Sequence, residues 1–240
     1  MNRFGMNQVG PNQPSSSIVT DEAAARSFIV KVYWWMTLAL AITGLVAVAT
    51  AMNPDMMALL FNTPAFMVVI VAQLALVLVL SAVIRRLNAG VATGLFVVYA
   101  ALTGLTFSML FLVYTSTSVA QVFFITAGTF GLVSAYGYVT GRDLTSIGNL
   151  AIMALIGLVV GFIVNIFLAS STLSFILSAV GVLIFVALIA YDTQRIKRMA
   201  MGVGTDGEVL RKAAVIGALA LYLDFINLFL NLLRLFGRRR

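Results

Sequence analysis

The sequence predicts an all-α integral membrane protein with seven transmembrane helices. Of its 240 residues, 62% are hydrophobic and only 10% are charged, whereas a soluble domain is about 45–50% apolar and roughly 25% charged. The mean hydropathy is +1.07. The apolar residues gather into seven runs, each close to the ~20 residues that cross a hydrocarbon layer. Runs of this length satisfy their backbone hydrogen bonds in lipid as helices.

A polar segment, residues 1–30, precedes the first apolar run and contains Pro11, Pro14 and three consecutive serines. It lacks the basic, apolar and small-residue order of a signal peptide, so we expect a cytoplasmic tail followed by a retained first span. A seven-helix membrane domain is predicted over residues 31–236 and a basic tail over 237–240. The predicted spans are 33–52, 65–84, 90–112, 120–140, 148–169, 174–192 and 213–236.

The basic residues lie mainly in alternate connections. An excess of Lys and Arg marks cytoplasmic loops, so the pattern predicts a cytoplasmic N-terminus. The net charge of +7 then reflects topology, and we expect no nucleic-acid partner. The basic residues placed on the inner side are Arg3, Arg26, Lys31, Arg85, Arg86, Arg142, Arg195, Lys197, Arg198, Arg211 and Lys212.

The last span conflicts with this rule. A full seventh crossing places Arg234 and the tail residues 238–240 on the outer side. Either the segment is a short span inserted late, or it re-enters and returns its basic tail to the cytoplasm. We expect a full span, because these four charges compete with the larger number on the inner side.

The chain has no Cys and no His. This composition excludes disulfides, thiolate metal sites, iron–sulfur clusters and every mechanism that needs a histidine. Acid–base chemistry therefore uses carboxylates, Lys, Arg or Tyr, and we expect no resident cofactor.

Two of the eight acidic residues lie in apolar runs. Asp192 ends the sixth run and Asp224 lies inside the seventh. A carboxylate within a span costs about 2.5–3.5 kcal/mol, so it normally faces a polar interior and has a partner. Asp224 is therefore the strongest candidate functional residue, although hydrogen bonds to Asn227, Asn231 or Tyr222 would explain it as structural. For Asp192 the structural alternative is an interfacial ion pair with Arg195.

Depth along the helices decides whether the two acids can meet. At a rise of about 1.5 Å per residue, a span that starts at Ala213 puts Asp224 ~16 Å from the inner face, whereas Asp192 lies close to it. They approach only if the last helix begins in the cytoplasm and enters the membrane nearer Ala220. Two carboxylates that meet in a desolvated site cannot both ionise cheaply, so they share one proton near neutral pH. Such a pair would be a proton switch beside a cation path.

Arg85 and Arg86 lie at the inner end of the second span. An arginine there can serve as counter-ion or plug for the proton switch. For at least one of the two arginines, the ordinary excess of basic residues in cytoplasmic loops is an equally good explanation.

Two segments resemble the signature of the Bax inhibitor-1 (transmembrane Bax-inhibitor-motif) family. They are residues 191–196, with the sequence YDTQRI, and residues 221–229, with the sequence LYLDFINLF. The triplet 165–167, NIF, and the seven-span hydropathy agree. The likeness covers most of residues 25–236, and the chain is similar to the bacterial branch.

The resemblance implies six helices around a central C-terminal helix, in a bacterial inner membrane. It implies that Asp192 and Asp224 form a pH-sensing pair that controls a calcium leak and binds calcium transiently. A basic residue of the second span, by position Arg85 or Arg86, would latch the first aspartate in the closed state. The expected partners are the lipid bilayer, calcium ions and protons.

Two other functions stay open. Some relatives are described as regulators of a membrane-bound protease or of cell death, which predicts a non-transporting regulator. Intramembrane aspartyl proteases also use two carboxylates in adjacent spans, one in a Tyr-Asp pair such as Tyr191-Asp192. The residues around Asp224 lack the glycines that flank the second aspartate of those proteases, and no Pro-Ala-Leu segment lies near the C-terminus. We therefore expect a protein that is not an enzyme.

Overall fold

The computed structural model describes residues 15–83, 87–202 and 207–240, and these ranges are almost entirely helical. The helices are α1 (Ser15–Ala51), α2 (Pro54–Phe61), α3 (Ala65–Val83), α4 (Ala89–Phe107), α5 (Leu110–Val113), α6 (Ser116–Val139), α7 (Thr145–Leu168), α8 (Ser171–Gly202) and α9 (Gly207–Phe236).

Seven segments of the described chain are long and apolar enough to span a membrane, which confirms the predicted number. They are Ala25–Ala51, Ala65–Ala82, Ala89–Val113, Ser116–Val139, Thr145–Leu168, Ser171–Met201 and Gly207–Phe236. Three predicted boundaries are wrong. The first helix begins before residue 33, the sixth continues past residue 192, and the seventh begins before Ala213. Hydropathy marks where a helix leaves hydrocarbon, whereas these three helices continue as turns with charged residues beyond it.

Helix α1 begins at Ser15, inside the segment that the sequence predicts as a polar tail. The boundary at residue 30 therefore does not coincide with a break in secondary structure, and the division of the chain there stays a prediction.

Polar side chains fix where several helices begin. Asn53 accepts hydrogen bonds from the backbone N–H groups of residues 55 and 56, and Pro54 occupies the first position of α2. Asn88 accepts from the N–H of residue 91, and Thr115 accepts from the N–H of residue 118. These side chains satisfy N–H groups that have no partner within the helix. The short connections thus set the register of α2, α4 and α6.

Helix α9 is the central element of the bundle. It packs against α1, α4, α6 and α8, and it buries residues around most of its circumference. Helix α3 packs against α4, where Gln73 Nε2 donates to Thr103 Oγ1 at 3.0 Å, and α7 packs against α8. The predicted central position of the C-terminal helix is confirmed.

The two ends of the bundle are chemically distinct. At the hairpin end, where α8 ends and α9 begins, lie the α6–α7 loop and the basic turns of α8. At the opposite tail end, Thr115 N donates to Arg238 O at 3.1 Å, and Arg240 N donates to Val113 O at 3.0 Å. Because α9 runs unbroken from one end to the other, the alternative of a re-entrant last segment is wrong.

A crevice of about 1380 Å³ separates α1 from α6. Its floor is formed by Phe225, Ile226 and Phe229 of α9. We refer to it below as the α1–α6 crevice.

Candidate functional site

The candidate site lies where α8 crosses α9. A glycine, Gly181, permits their close approach, because a Cβ added there would lie 2.6 Å from Asn231 Oδ1. Small residues allow helix backbones in a membrane to pack tightly. The contact between the two helices continues along α8 to Asp192 and along α9 to Asp224.

The structure brings Asp192 and Asp224 together. Their carboxyl groups lie within hydrogen-bonding reach of each other. Asp224 is 6% exposed, and the side chain of Asp192 is 15% exposed. The contact follows from the early start of α9, which lets the helix carry Asp224 to the level of Asp192. The sequence allowed this arrangement only for a last helix that begins outside the membrane and enters it nearer Ala220.

The structural explanations that the sequence left open for Asp224 are wrong. Asn227 and Asn231 donate their side-chain N–H groups to backbone oxygens one turn earlier, Leu223 O and Asn227 O, each at 2.8 Å. Tyr222 bonds elsewhere, as described below. Within the described part of the chain, Asp224 Oδ2 and Asn231 Oδ1 are buried without a hydrogen-bond partner. A buried oxygen without a donor costs about 1–3 kcal/mol, so these two atoms are notable within an apolar bundle.

The interfacial ion pair that was the structural alternative for Asp192 is present, but its geometry is poor. Arg195 Nη1 lies 3.9 Å from Asp192 Oδ1, and the arginine side chain is 58% exposed. An exposed pair at this distance contributes little stability. Arg195 thus gives Asp192 a nearby cation without occupying the contact with Asp224.

Tyr222 fastens α9 to two other helices beside the acidic pair. Its hydroxyl and that of Thr43 in α1 share a hydrogen bond of 2.7 Å, and the Thr43 hydroxyl also lies 2.9 Å from Ala100 O of α4. Its ring meets Phe96 and Tyr99 edge to face. This network holds the residues next to Asp224 in a fixed orientation.

Thr193, next to Asp192, connects α8 to two helices. Its hydroxyl lies 3.4 Å from Tyr33 Oη of α1 and donates to Ser134 Oγ of α6 at 3.4 Å. The polar groups of Tyr33 and Ser134 therefore point toward α8.

The last turns of α8 hold the α6–α7 loop at the hairpin end. Gln194 Nε2 donates to Arg142 O at 2.7 Å, and Gln194 Oε1 accepts from Leu144 N at 2.9 Å. Arg198 Nη2 donates to Asp143 Oδ1 at 2.7 Å. We call this set of bonds the loop clasp.

Asp143, at the exposed end of the loop clasp, is strongly acidic. Hydrogen bonds from the side chain and the backbone of Thr145, and from Arg198, lower its pKa from the ordinary 3.8 to about 2. These donors favour the ionised form. Asp143 therefore keeps its charge throughout the physiological range.

Arg85 and Arg86, the candidate latch residues, lie outside the described residues. Their role stays a prediction. Asn165, from the NIF triplet, has a structural role here: its Oδ1 accepts from Ser170 N at 3.2 Å in the turn between α7 and α8.

Sequence reasoning did not single out Gly181, Gln194 or Ser134. Gln194 lies within the YDTQRI segment and was therefore visible as part of a motif, but its contact with the α6–α7 loop joins residues 50 positions apart. No periodicity in the chain signals such a contact. Gly181 is one of 19 glycines, and only the crossing of α8 and α9 distinguishes it.

Comparison with known proteins identifies the family of this chain. The family model described as Inhibitor of apoptosis-promoting Bax1 matches residues 25–240. The chain is 51% identical over 228 residues to the Inner membrane protein YbhL of Escherichia coli strain K12, covering 94% of this chain and 97% of that protein. It is 46% identical over 221 residues to the Uncharacterized protein RP147 of Rickettsia prowazekii, covering 92% and 93%. The protein therefore belongs to the Bax inhibitor-1 family of membrane proteins.

Proposed function

We propose that this protein is a pH-sensitive cation leak channel, with calcium as the favoured ion. The observation that carries the proposal is the contact between the carboxyl groups of Asp192 and Asp224 inside the bundle. A hydrogen bond between two carboxyl groups requires one proton, because an ionised carboxylate only accepts. The pair is therefore the proton sensor of the proposed mechanism.

Loss of that proton changes the forces between α8 and α9. Two negative charges then face each other in a poorly hydrated site, and their repulsion favours either separation of the helices or entry of a cation. Arg195 is the cation that contacts the pair from α8. The neighbouring titratable groups on the elements packed around it are the phenols of Tyr33 on α1, Tyr99 on α4 and Tyr222 on α9. In the proposed response the carboxyl pair is the group that changes charge.

Calcium fits the oxygen atoms along this face of α9. Hard cations prefer carboxylate and amide oxygens. Asp224 Oδ2 and Asn231 Oδ1 are both buried and free of donors within the described chain. We propose that they supply transient ligands to a passing ion, with no resident metal.

The distribution of basic residues supports one orientation of the bundle across the membrane. We propose that the hairpin end, with Arg195, Lys197 and Arg198, faces the cytoplasm of a bacterial cell, in accord with the positive excess of cytoplasmic loops. The N-terminus is then cytoplasmic as well. The name of the Escherichia coli relative as an inner membrane protein supports placement in that membrane.

The proposal is tested by calcium flux into liposomes that contain the purified full chain. Wild-type flux is expected to rise with increasing pH, because the pair loses its shared proton and gains negative charge. Asp192→Asn and Asp224→Asn are each expected to abolish the dependence on pH. Asp143→Asn is the matched control, since it removes a carboxylate at the water-exposed loop clasp, and its profile is expected to follow the wild type.

Equal, pH-dependent flux in wild type and Asp224→Asn would overturn the proposed sensor. Absence of calcium flux from the wild type at every pH would overturn the channel and favour a regulator of a membrane-bound protease. In that case the double variant of Asp192 and Asp224 is expected to keep the cellular phenotype.

An intramembrane protease is less well supported. The same two acids could activate water, but neither aspartate lines the α1–α6 crevice. A peptide lying in that crevice would not reach them, so we propose a function that is not enzymatic.

A further inference from the structure

The α1–α6 crevice runs along most of the membrane-spanning part of the bundle. Its lining extends along α6 from Ser116 to Val139, which at about 1.5 Å per residue is ~35 Å and is close to a hydrocarbon core of ~30 Å. It is open sideways between two helices that face lipid. A hydrocarbon chain can therefore enter it directly from the bilayer.

The middle of the crevice is apolar. Its walls and floor carry the rings of Phe123, Phe130, Phe225 and Phe229. Four residues of the described lining carry hydroxyl groups at this depth, Tyr33, Thr37, Thr43 and Ser134. The hydroxyls of Tyr33 and Ser134 bond to Thr193, and that of Thr43 bonds to Tyr222 and Ala100 O. The surface left for an occupant is thus suited to acyl chains.

Among the described residues that line the crevice, the one charged side chain, Arg26, lies at the hairpin end, whereas the backbone of Arg238 bonds to Ser118 just outside the lining at the tail end. Arg26 lines the hairpin end from α1, and Tyr138 lines it from α6. Lys197 reaches the same place, because its Nζ donates to Tyr138 O at 2.8 Å and lies 4.8 Å from the center of the Tyr138 ring. The lining at the tail end includes Leu110, Phe111 and Ser116 and carries no charge among the described residues.

We propose that the α1–α6 crevice is a binding site for an anionic phospholipid. Its acyl chain lies on the phenylalanine floor and its phosphate lies between Arg26 and Lys197 at the hairpin end. The polarity of the site matches the ligand, since a phospholipid is charged at one end and apolar along the rest. A membrane-spanning helix of a partner ends in polar groups on both sides of the bilayer, and small residues favour its close packing. The lining contains a short stripe of this kind on α6, Ala127, Gly131 and Ala135, so the charge at one end of the lining is the feature that favours a phospholipid, and the dimer measurement below separates the two occupants.

This inference goes beyond the proposed function, because lipid binding stands whether or not ions flow. It is tested by electron paramagnetic resonance on the full chain in phosphatidylcholine vesicles that contain acyl-chain spin-labelled phosphatidylglycerol. The measured quantity is the number of motionally restricted lipids per protein. Gly131→Trp fills the crevice, because no atom of the described residues lies within 4 Å of a Cβ added at this lining position.

Gly157→Trp is the matched control. Gly157 also has open space at its Cβ, but it lies on α7 and outside the crevice lining. We expect Gly131→Trp to lose about one restricted phosphatidylglycerol relative to the wild type and Gly157→Trp to lose none. Equal counts in the wild type and Gly131→Trp would overturn the proposal.

The headgroup preference is tested separately with Arg26→Gln. One cation near a membrane surface contributes roughly a fivefold preference for anionic over neutral lipid, so the variant is expected to lose about that factor between spin-labelled phosphatidylglycerol and phosphatidylcholine. Lys31→Gln removes an α1 cation outside the lining and is expected to keep the preference. An unchanged preference in Arg26→Gln would overturn the assigned headgroup position. A wild-type dimer in these vesicles that Gly131→Trp dissociates would assign the crevice to a helix of a second copy and overturn the lipid proposal.

Discussion

Helix α9 makes a polar contact with α8 on one face and an aromatic contact with α6 on another. Toward α8, Asp224 and Asn231 present buried oxygens that have no donor among the described residues, at a crossing that Gly181 makes close. Toward α6, Phe225 and Phe229 pack against other rings and form the floor of the crevice. Consecutive helical residues point about 100° apart, so neighbouring positions reach different surroundings. One helix can therefore combine a polar contact that responds to protons with an apolar surface that meets hydrocarbon.

The largest effect is expected at the polar face, from Gly181→Leu. The new side chain would overlap Asn231, whose Oδ1, Cγ and Nδ2 all lie within 2.9 Å of the added Cβ. Overpacking of this kind costs about 1–3 kcal/mol, and we expect the upper part of that range, because the helices must move apart. Thermal unfolding in detergent measures the loss. The shift should also alter the dependence of calcium flux on pH, since the same crossing holds the two acids together.

Two further variants test that explanation. Asn231→Ala added to Gly181→Leu is expected to restore part of the stability, because it removes the atoms that collide. Gly157→Leu, at a position with open space, should unfold like the wild type. Equal melting temperatures for Gly181→Leu and Gly157→Leu would contradict the tight crossing.

At the aromatic face we expect a smaller effect from Phe225→Ala. The ring of Phe225 lies 5.4 Å from that of Phe123 and 5.5 Å from that of Phe130, between centroids. Each aromatic pair contributes about 0.5–1.5 kcal/mol. Lipid is as apolar as the side chain, so packing is the main loss and ~1–2 kcal/mol is expected from thermal unfolding.

The control for this variant is Phe175→Ala, which removes a ring that is 61% exposed and should not change stability. The pH dependence of flux in Phe225→Ala is expected to stay that of the wild type, because the acidic pair is untouched. A changed pH profile would show that the two faces of α9 do not act separately.

The smallest effect is expected from Asp143→Asn, which lies away from both faces. The pKa of Asp143 is lowered from 3.8 to about 2, so folding is favoured by its ionised form. That contribution is complete above 3.8 and is lost as the pH falls toward 2. Melting temperatures of variant and wild type should differ slightly at neutral pH and converge at about pH 2. A difference that grows in acid would contradict the assigned hydrogen bonds.

Hydropathy was sufficient for the membrane spans because lipid leaves a helix few alternatives. Hydropathy placed the start of the last helix wrongly at Ala213, because the charged residues Arg211 and Lys212 resemble a loop in composition. They belong to the first turns of α9, where Lys212 forms an ion pair with Glu208 at 2.9 Å. The cost of burying a carboxylate identified Asp224 from the sequence. The contact with Asp192 depended on where α9 begins, which composition does not determine.

The remaining features depend on distant parts of the chain. The α1–α6 crevice exists because two helices far apart in sequence do not close over α9, and a single sequence carries no signal for an absent contact. Gln194 is similar, since its partners Arg142 and Leu144 belong to a loop some 50 residues earlier.

Helices α8 and α9 contain 32 and 30 residues, about 48 and 45 Å of rod, against ~30 Å of hydrocarbon. Both excess lengths emerge at the hairpin end, where the charged turns lie. A chain of 25.7 kDa embedded in a micelle gives electron cryomicroscopy few landmarks for alignment. A helical fiducial domain could be inserted between Gly202 and Gly207 so that its helices are continuous with α8 and α9. The orientation of that domain would then give the orientation of the two helices that carry Asp192 and Asp224.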